Sequence, residues 1–352
     1  MTAVHVVVPD GIDDPTRPSG GNAYDRRVCR GLADAGWSVH EHAVPGDWPA
    51  PGSGALGRLA DVVTRLPDGA VVLLDGIVAS VAPEVLVREA DRLRLVVLVH
   101  LPWGERVADG DAVRSRECAT LAAAAAVVAT SLWSRRWLLE HYALDPARVR
   151  VAVPGVDGAD LAPGTPSGGE LLCVAAVTPD KGHDVLLAAL AQITDLRWRC
   201  ACVGSLTRDP GLVERLLGRA RDLGIADRVT FGGPRVGAEL QASYAAADVL
   251  VLATRAESYG MVVSEALARG LPVVAAAVGG LPEALGRLPD GSLPGELVPP
   301  EDPGAMAAAL RRWLEDAALR RSWRLSAQWR RETLPDWAET SDRVSQALWA
   351  AR

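Results

Sequence analysis

The chain has 352 residues, a length that predicts about two domains, and its 49% hydrophobic content can fill two cores. A net charge of -7 and a pI near 5.5 leave no basic footprint for DNA or RNA, so nucleic acid is excluded as a partner. The longest apolar run, residues 121–129, is far shorter than the roughly twenty residues of a membrane span.

The start, Met1 to Pro9, has neither a basic segment nor a cleavage site, so a cytoplasmic protein without a secretory leader is expected. Short β-branched runs then alternate with longer amphipathic stretches, the pattern of parallel α/β layers. Strands are expected at Val4 to Val8, Val71 to Leu74, Leu95 to Val99, Val127 to Ala129 and Val149 to Val153. The segment Ser131 to Leu139, with two tryptophans and two arginines, reads as a core helix with a solvated basic edge; the alternative is an interfacial anchor in peripheral contact with a membrane. The Pro/Gly/Ser-rich stretch Pro154 to Gly169 cannot continue helix or strand and is expected to link two domains.

The alternation restarts with strands at Leu171 to Val177, Trp198 to Val203, Val229 to Phe231, Val249 to Leu252 and Pro272 to Ala276. Five cysteines, Cys29, Cys118, Cys173, Cys200 and Cys202, are an odd number without Cys-x2-Cys spacing, which argues against a disulfide framework or a zinc site. Cys200 and Cys202 should share one face of a buried strand. From about Asp302 the chain reads as helical, with a break at Leu334-Pro335-Asp336 before a last helix carrying Trp337, Val344, Leu348 and Trp349 on one side. The expected division is 1–157, 158–334 and a terminal helix 335–352 returning to the first domain.

Two segments carry chemistry. Thr254 to Gly270 reads as strand, loop and helix, with Gly260 at the helix start. Glycine lets backbone approach an anion, and the first amides of a helix are unpaired donors, so Gly260, Met261 and Val262 form a phosphate cradle. Glu257 precedes the helix and Glu265 lies within it; they bracket a ligand, or else Glu257 caps the helix and Glu265 pairs with a surface arginine. The second segment holds the chain's only lysine among 37 basic residues, Lys181, in Thr178-Pro179-Asp180-Lys181-Gly182-His183-Asp184. An ammonium is a compact point charge that fits beside a crowded phosphate, unlike the broad guanidinium fork. His183 and Asp184 read as a helix start.

The spacing Glu257-x7-Glu265, together with Leu271-Pro272-Val273-Val274, Gly279-Gly280-Leu281-Pro282-Glu283, Ser19-Gly20-Gly21-Asn22, Pro154-Gly155-Val156-Asp157, Gly232-Gly233 and Ala246-Ala247-Asp248, resembles glycosyltransferase family 4 over nearly the whole chain. The resemblance implies the GT-B architecture: two doubly wound Rossmann-like domains facing a cleft, a donor-binding C-terminal domain and an acceptor-side N-terminal domain. It implies a retaining transferase that moves a sugar from a nucleotide diphosphate sugar to a small-molecule, lipid or glycan acceptor. Glu257 would contact sugar hydroxyls, Glu265 the ribose, residues 260 to 262 the diphosphate, and Lys181 the phosphates.

The family's usual arginine about five residues before that lysine is here Ala176. Arg255 is the first candidate for a compensating cation, with Arg208 and Arg235 behind it. Gly20-Gly21 is not a Gly-x-Gly-x-x-Gly fingerprint, which speaks against a dehydrogenase; it is expected as a loop lining the cleft, or as a simple turn. His100, at the carboxyl end of its strand, is expected against the donor sugar by resemblance, a structural histidine being the alternative. No Asp-x-Asp motif stands in a metal-binding context, so no essential metal or other cofactor is expected. A silent nucleotide-sugar-binding subunit, an epimerase and a phosphorylase are the rival readings.

Overall fold

The computed structural model describes residues 2–16, 18–106 and 111–352. Contacts divide the chain into two units, Met1–Asp14 with Ser19–Gly155 and Pro335–Arg352, and Pro15–Pro18 with Val156–Leu334.

In the first unit β1 (Thr2–Pro9), β2 (Trp37–Val44), β3 (Val71–Asp75), β4 (Arg94–Val99), β5 (Ala126–Ala129) and β6 (Val149–Val151) form a parallel sheet in the order β2-β1-β3-β4-β5-β6. Val72, Leu74, Val97 and Val99 enter one core, while Val71, Leu73, Val96 and Leu98 enter the other. Near-continuous apolar strands are what a parallel sheet covered on both faces requires. The helix Trp337–Ala350 joins the second of these cores beside the helix Gly20–Asp34, burying Val344, Ala347 and Leu348 completely. A Cβ on Gly31 would lie 2.0 Å from Ser341 Oγ, so glycine there permits the close approach of the two helices. Trp349, expected on the packed side, is 51% exposed and lies against Trp37 with ring centroids 4.9 Å apart. The helix Leu132–His141 buries Leu138 and leaves Leu132 exposed, while its Arg135 Nε donates to Val149 O at 2.9 Å.

The second unit has its own parallel sheet: β7 (Glu170–Val174), β8 (Arg199–Val203), β9 (Val229–Phe231), β10 (Val249–Leu252), β11 (Val273–Ala276) and β12 (Gly295–Val298), ordered β12-β11-β10-β7-β8-β9. Cys200 and Cys202 are both buried on β8. Two strands escape the sequence reading, β2 and β12, and both are sheet edges. An edge strand needs less apolar content because one side meets solvent, and β2 carries His40, Glu41 and His42 at its centre.

Residues 152–169 form neither helix nor strand. Part of this stretch is held by Asp248, which is fully buried: Thr165 Oγ1 donates to its Oδ2 at 2.6 Å, the Glu170 amide to the same oxygen at 3.0 Å, and Arg324 Nη2 to its Oδ1 at 3.0 Å. Asp248→Ala is expected to cost about 3 to 5 kcal/mol, because it strands a guanidinium and several donors. Urea unfolding of the full chain checks this, and an unchanged midpoint would show that Asp248 does not hold the linker.

Candidate functional site

In each sheet the strand order reverses beside the unit's first strand, between β1 and β3 and between β7 and β10. Open α/β sheets bind ligands at such switch points, outside the carboxyl ends of the strands.

In the second unit, the loops leaving β7 and β10 meet at that position. Pro179–Lys181 is a single 3-10 turn closed by Gly182 at φ 63°, and a Cβ on Gly182 would lie 1.9 Å from Ala253 O. Glycine alone allows this contact. Thr254 Oγ1 and the Arg255 amide both donate to Asp180 O, at 2.9 and 2.7 Å, and lock one loop to the other. Lys181 Nζ then stands 2.9 Å from Glu257 Oε2 and 3.9 Å from Asp180 Oδ2. Both partners of the shorter pair keep about a fifth of their side chain exposed, 24% and 20%, so a ligand can reach them.

Gly260, at φ 96°, caps the helix Met261–Ala268, and a Cβ on it would lie 2.5 Å from Leu281 Cδ2. The amides of Met261 and Val262 open that helix, where no preceding turn supplies carbonyl partners. Gly279 and Gly280 brace the same loop: added Cβ atoms would fall 1.7 Å from Glu257 O and 2.1 Å from Ser258 O, and the Gly280 amide donates to Glu257 O at 2.9 Å. One turn further along, Tyr244 Oη donates to Glu265 Oε2 at 2.6 Å. Burial raises the Glu265 carboxyl above its ordinary range, while Tyr244 and Arg269 oppose the rise.

Arg255 is engaged elsewhere. Nη1 and Nη2 grip Asp184 in two 2.9 Å bonds, Nη1 also donates to Pro179 O at 2.7 Å, and Nε bonds Glu301. The guanidinium ties the two loops together from the side and is saturated with carboxylates. Arg235 Nη1 donates to Ser243 Oγ at 2.8 Å. Ala176 lies just past the end of β7, between Ala175 and Val177, whose amides bond Val203 O and Ser205 O at 2.9 Å each. Tyr244 and Asp184 leave no signature of a site in the sequence: each lies within a helix, and Asp184 follows Asp180 by four residues at a helix start.

In the first unit Gly20 and Gly21 are the first residues of the helix Gly20–Asp34, capped by Ser19, whose Oγ accepts from the Asn22 amide at 3.1 Å. They open a helix, which corrects the expected loop ahead of it. A Cβ on Gly21 would lie 3.2 Å from His100 Cδ2, so the glycine makes room for the imidazole. His100 Nε2 bonds Asp25 Oδ1 at 2.8 Å, and Tyr24 meets the ring edge-on at 5.2 Å. Asp75 closes β3 as His100 follows β4, and its Oδ1 accepts from the Ile77 amide at 2.8 Å. Neither aspartate was picked out from sequence, although Asp25 follows Gly21 by four residues, one helical turn, and Asp75 ends the strand adjacent to that of His100.

Among the described residues, two groups bring possible metal-ligating atoms within 4.8 Å of one another. In Asp25, Asp75 and His100 the imidazole Nε2 is spent on a carboxylate, the geometry of a hydrogen-bonded ion pair rather than of a ligand set. In Cys173, His183 and Cys202 the neighbouring thiol and burial hold the Cys173 thiol well above its usual range, which leaves protonated core sulfur.

Residues 168–316 match the family described as "Glycosyl transferases group 1". The chain is similar to the D-inositol 3-phosphate glycosyltransferase of Kineococcus radiotolerans, 38% identical over 226 residues that cover 56% of this chain and 51% of that one. It therefore spans about half the length of the curated relatives it matches. Among solved structures, sucrose-phosphate synthase from Thermosynechococcus elongatus superposes with a TM-score of 0.78 at 24% identity, covering 98% of each chain. Anabaena HepE in complex with UDP-glucose gives 0.78 at 18% identity, covering 99% of this chain and 100% of that one. The likeness establishes the fold as the two-domain α/β architecture expected from the sequence, GT-B.

The contact of Gly182 with backbone makes a direct test of the site's construction. Gly182→Ala is expected to lower stability by about 1 to 3 kcal/mol from its left-handed conformation alone, and more from the clash. Thermal unfolding that matches the parent would mean the two loops are not locked.

Proposed function

We propose that the protein is a retaining glycosyltransferase that transfers a sugar from a nucleotide diphosphate sugar to an acceptor hydroxyl. The observation that carries this reading is the Lys181 to Glu257 ion pair beside the Gly260 helix start, at the switch point of the second sheet. In the proposed reaction the acceptor oxygen bonds the anomeric carbon as the bond from that carbon to the diphosphate oxygen breaks, on the same face of the sugar. The acceptor's proton passes to the departing phosphate. Negative charge then grows on the diphosphate, where the Lys181 ammonium and the amides of residues 260 to 262 stabilise it. Ligand entry exchanges one partner of Lys181 for another, and Glu257 is released to accept from sugar hydroxyls. Glu265, held by Tyr244 through one oxygen, presents the other to the ribose.

With Ala176 in place of the usual arginine and Arg255 committed to Asp184 and Glu301, Lys181 is the cation assigned to the leaving group. No metal is needed in this scheme. A uridine diphosphate sugar is the first donor to test, since the structurally similar HepE is described in complex with UDP-glucose. The relatives' name suggests a phosphorylated polyol as the first acceptor. The same Ala176 supports a second reading, a subunit that binds nucleotide sugar without turning it over.

A thermal-shift panel of UDP, GDP, ADP and TDP sugars identifies the donor, because stabilisation follows occupancy. Lys181→Ala is expected to reduce kcat about 100- to 1,000-fold, or roughly 2.7 to 4 kcal/mol. Lys181→Arg should also lose activity, since a fork does not replace a point charge; full activity in that variant would remove the specific demand for lysine. Glu265→Ala is expected to weaken binding of the free nucleoside diphosphate, and an unchanged Kd would count against the ribose contact. Binding without turnover across acceptors would favour the silent subunit.

A further inference from the structure

The group Asp25, Asp75 and His100 holds more acid than its visible partners neutralise. Asp25 and Asp75 are 3% and 5% exposed, and one imidazole faces both. Two ionised carboxylates beside one imidazolium would leave a net negative charge in a poorly hydrated place, which is costly. The hydrogen bonds show how the imbalance is relieved. Asp25 Oδ1 accepts from His100 Nε2, while Asp25 Oδ2 is buried and has no donor among the described residues. Asp75 uses Oδ1 on the Ile77 amide, and the Asp25 carboxylate, the Asp75 carboxylate and the imidazole bring polar atoms within 4.8 Å of one another. One proton shared by the two carboxylates would balance the charge.

We propose that Asp25 and Asp75 are positioning residues that retain one proton between them and hold His100 as an imidazolium, so that Nδ1 offers ligand oxygen a charged N–H donor rather than a basic lone pair. Nε2 is fixed on Asp25, so Nδ1 is the nitrogen left for a ligand. The electrostatics agree with the geometry. Burial disfavours the charged imidazole, yet the charge and hydrogen bond of the Asp25 carboxylate carry His100 up to about 9, the Asp75 charge adding to this once its own proton is lost. Burial and then the Asp25 charge push Asp75 up to about 7, against His100 and the Ile77 amide.

The other titratable groups facing the trio are Tyr24, whose phenol is held well above its usual range by burial and then by Asp25, and Cys29, raised to about 12 first by burial. Both stay neutral at physiological pH, so the balance is set by the two aspartates. This charge state makes His100 a donor to substrate oxygen and excludes it as the base that deprotonates the acceptor. That consequence rests on the transferase reading; the charge state does not.

The test is a pH titration of the ligand-free full chain carrying 13C,15N-labelled histidine, with His100→Gln used to identify the resonance among six histidines. The wild-type His100 ring is expected to remain an imidazolium through neutral pH and to titrate near 9. Asp25→Asn should lower that midpoint by about one unit or more. Asp75→Asn, which mimics the protonated acid, should keep the imidazolium. A neutral His100 ring at pH 7 in the wild type, or a midpoint unmoved by Asp25→Asn, would overturn the proposal.

In turnover assays Asp25→Asn should lower kcat more than it raises KM for the donor. A loss of thermal stability in Asp25→Asn with the midpoint retained would mark Asp25 as merely structural. Because the titration needs no donor, an imidazolium in a protein that turns over no nucleotide sugar would refute the transferase reading and leave the charge state intact.

Discussion

The constraint on which the second unit's site depends is a backbone contact too close for any side chain. Gly182 rests on Ala253 O, and this contact sets the β7 loop against the β10 loop at the point where the sheet's strand order reverses. Everything charged in the site follows from it. Asp180 O can then receive two donors from residues 254 and 255, Arg255 can reach Asp184, and Lys181 comes within 2.9 Å of Glu257. The sheet provides the place, glycine provides the distance, and only then does the ammonium acquire a defined position.

That arrangement also explains why a lysine and an arginine two residues from Glu257 have different roles. Arg255 makes a bidentate, charge-assisted grip on a carboxylate, the geometry at which guanidinium excels. A group so engaged is poor at exchanging partners. Lys181 meets Glu257 at the end of a flexible stem, and both partners of that pair keep part of their side chains exposed. A saturated guanidinium and a partly exposed ammonium are thereby separated within one pair of loops. In the first unit the same separation is made with acids, where Asp75 caps a helix turn and Asp25 orients His100.

The central strands, the helix start at Gly260 and the isolated lysine were legible because each leaves a local signature: an apolar run, a glycine before an apolar helix, an unusual residue. The edge strands β2 and β12 were not, since half-solvated strands need no apolar run. Arg255 looked available because spacing along the chain cannot reveal that Asp184 and Glu301, 71 residues before it and 46 after it, converge on it. Asp25 and Asp75 were equally silent. Their meaning lies in sharing a buried neighbourhood with His100, and Asp25 is 75 residues away from it in sequence. The pattern carried elements well, but partners across loops came only from the folded chain.

The single lysine makes the central claim open to one direct measurement. In protein labelled with 13C at the lysine side chain, the ε-carbon of Lys181 gives one signal, with no other lysine to confuse it. Adding UDP should shift that signal as the ammonium moves from Glu257 to the diphosphate, and uridine, which lacks the phosphates, should leave it in place. A lysine signal that ignores UDP while thermal stabilisation proves the nucleotide is bound would contradict the account.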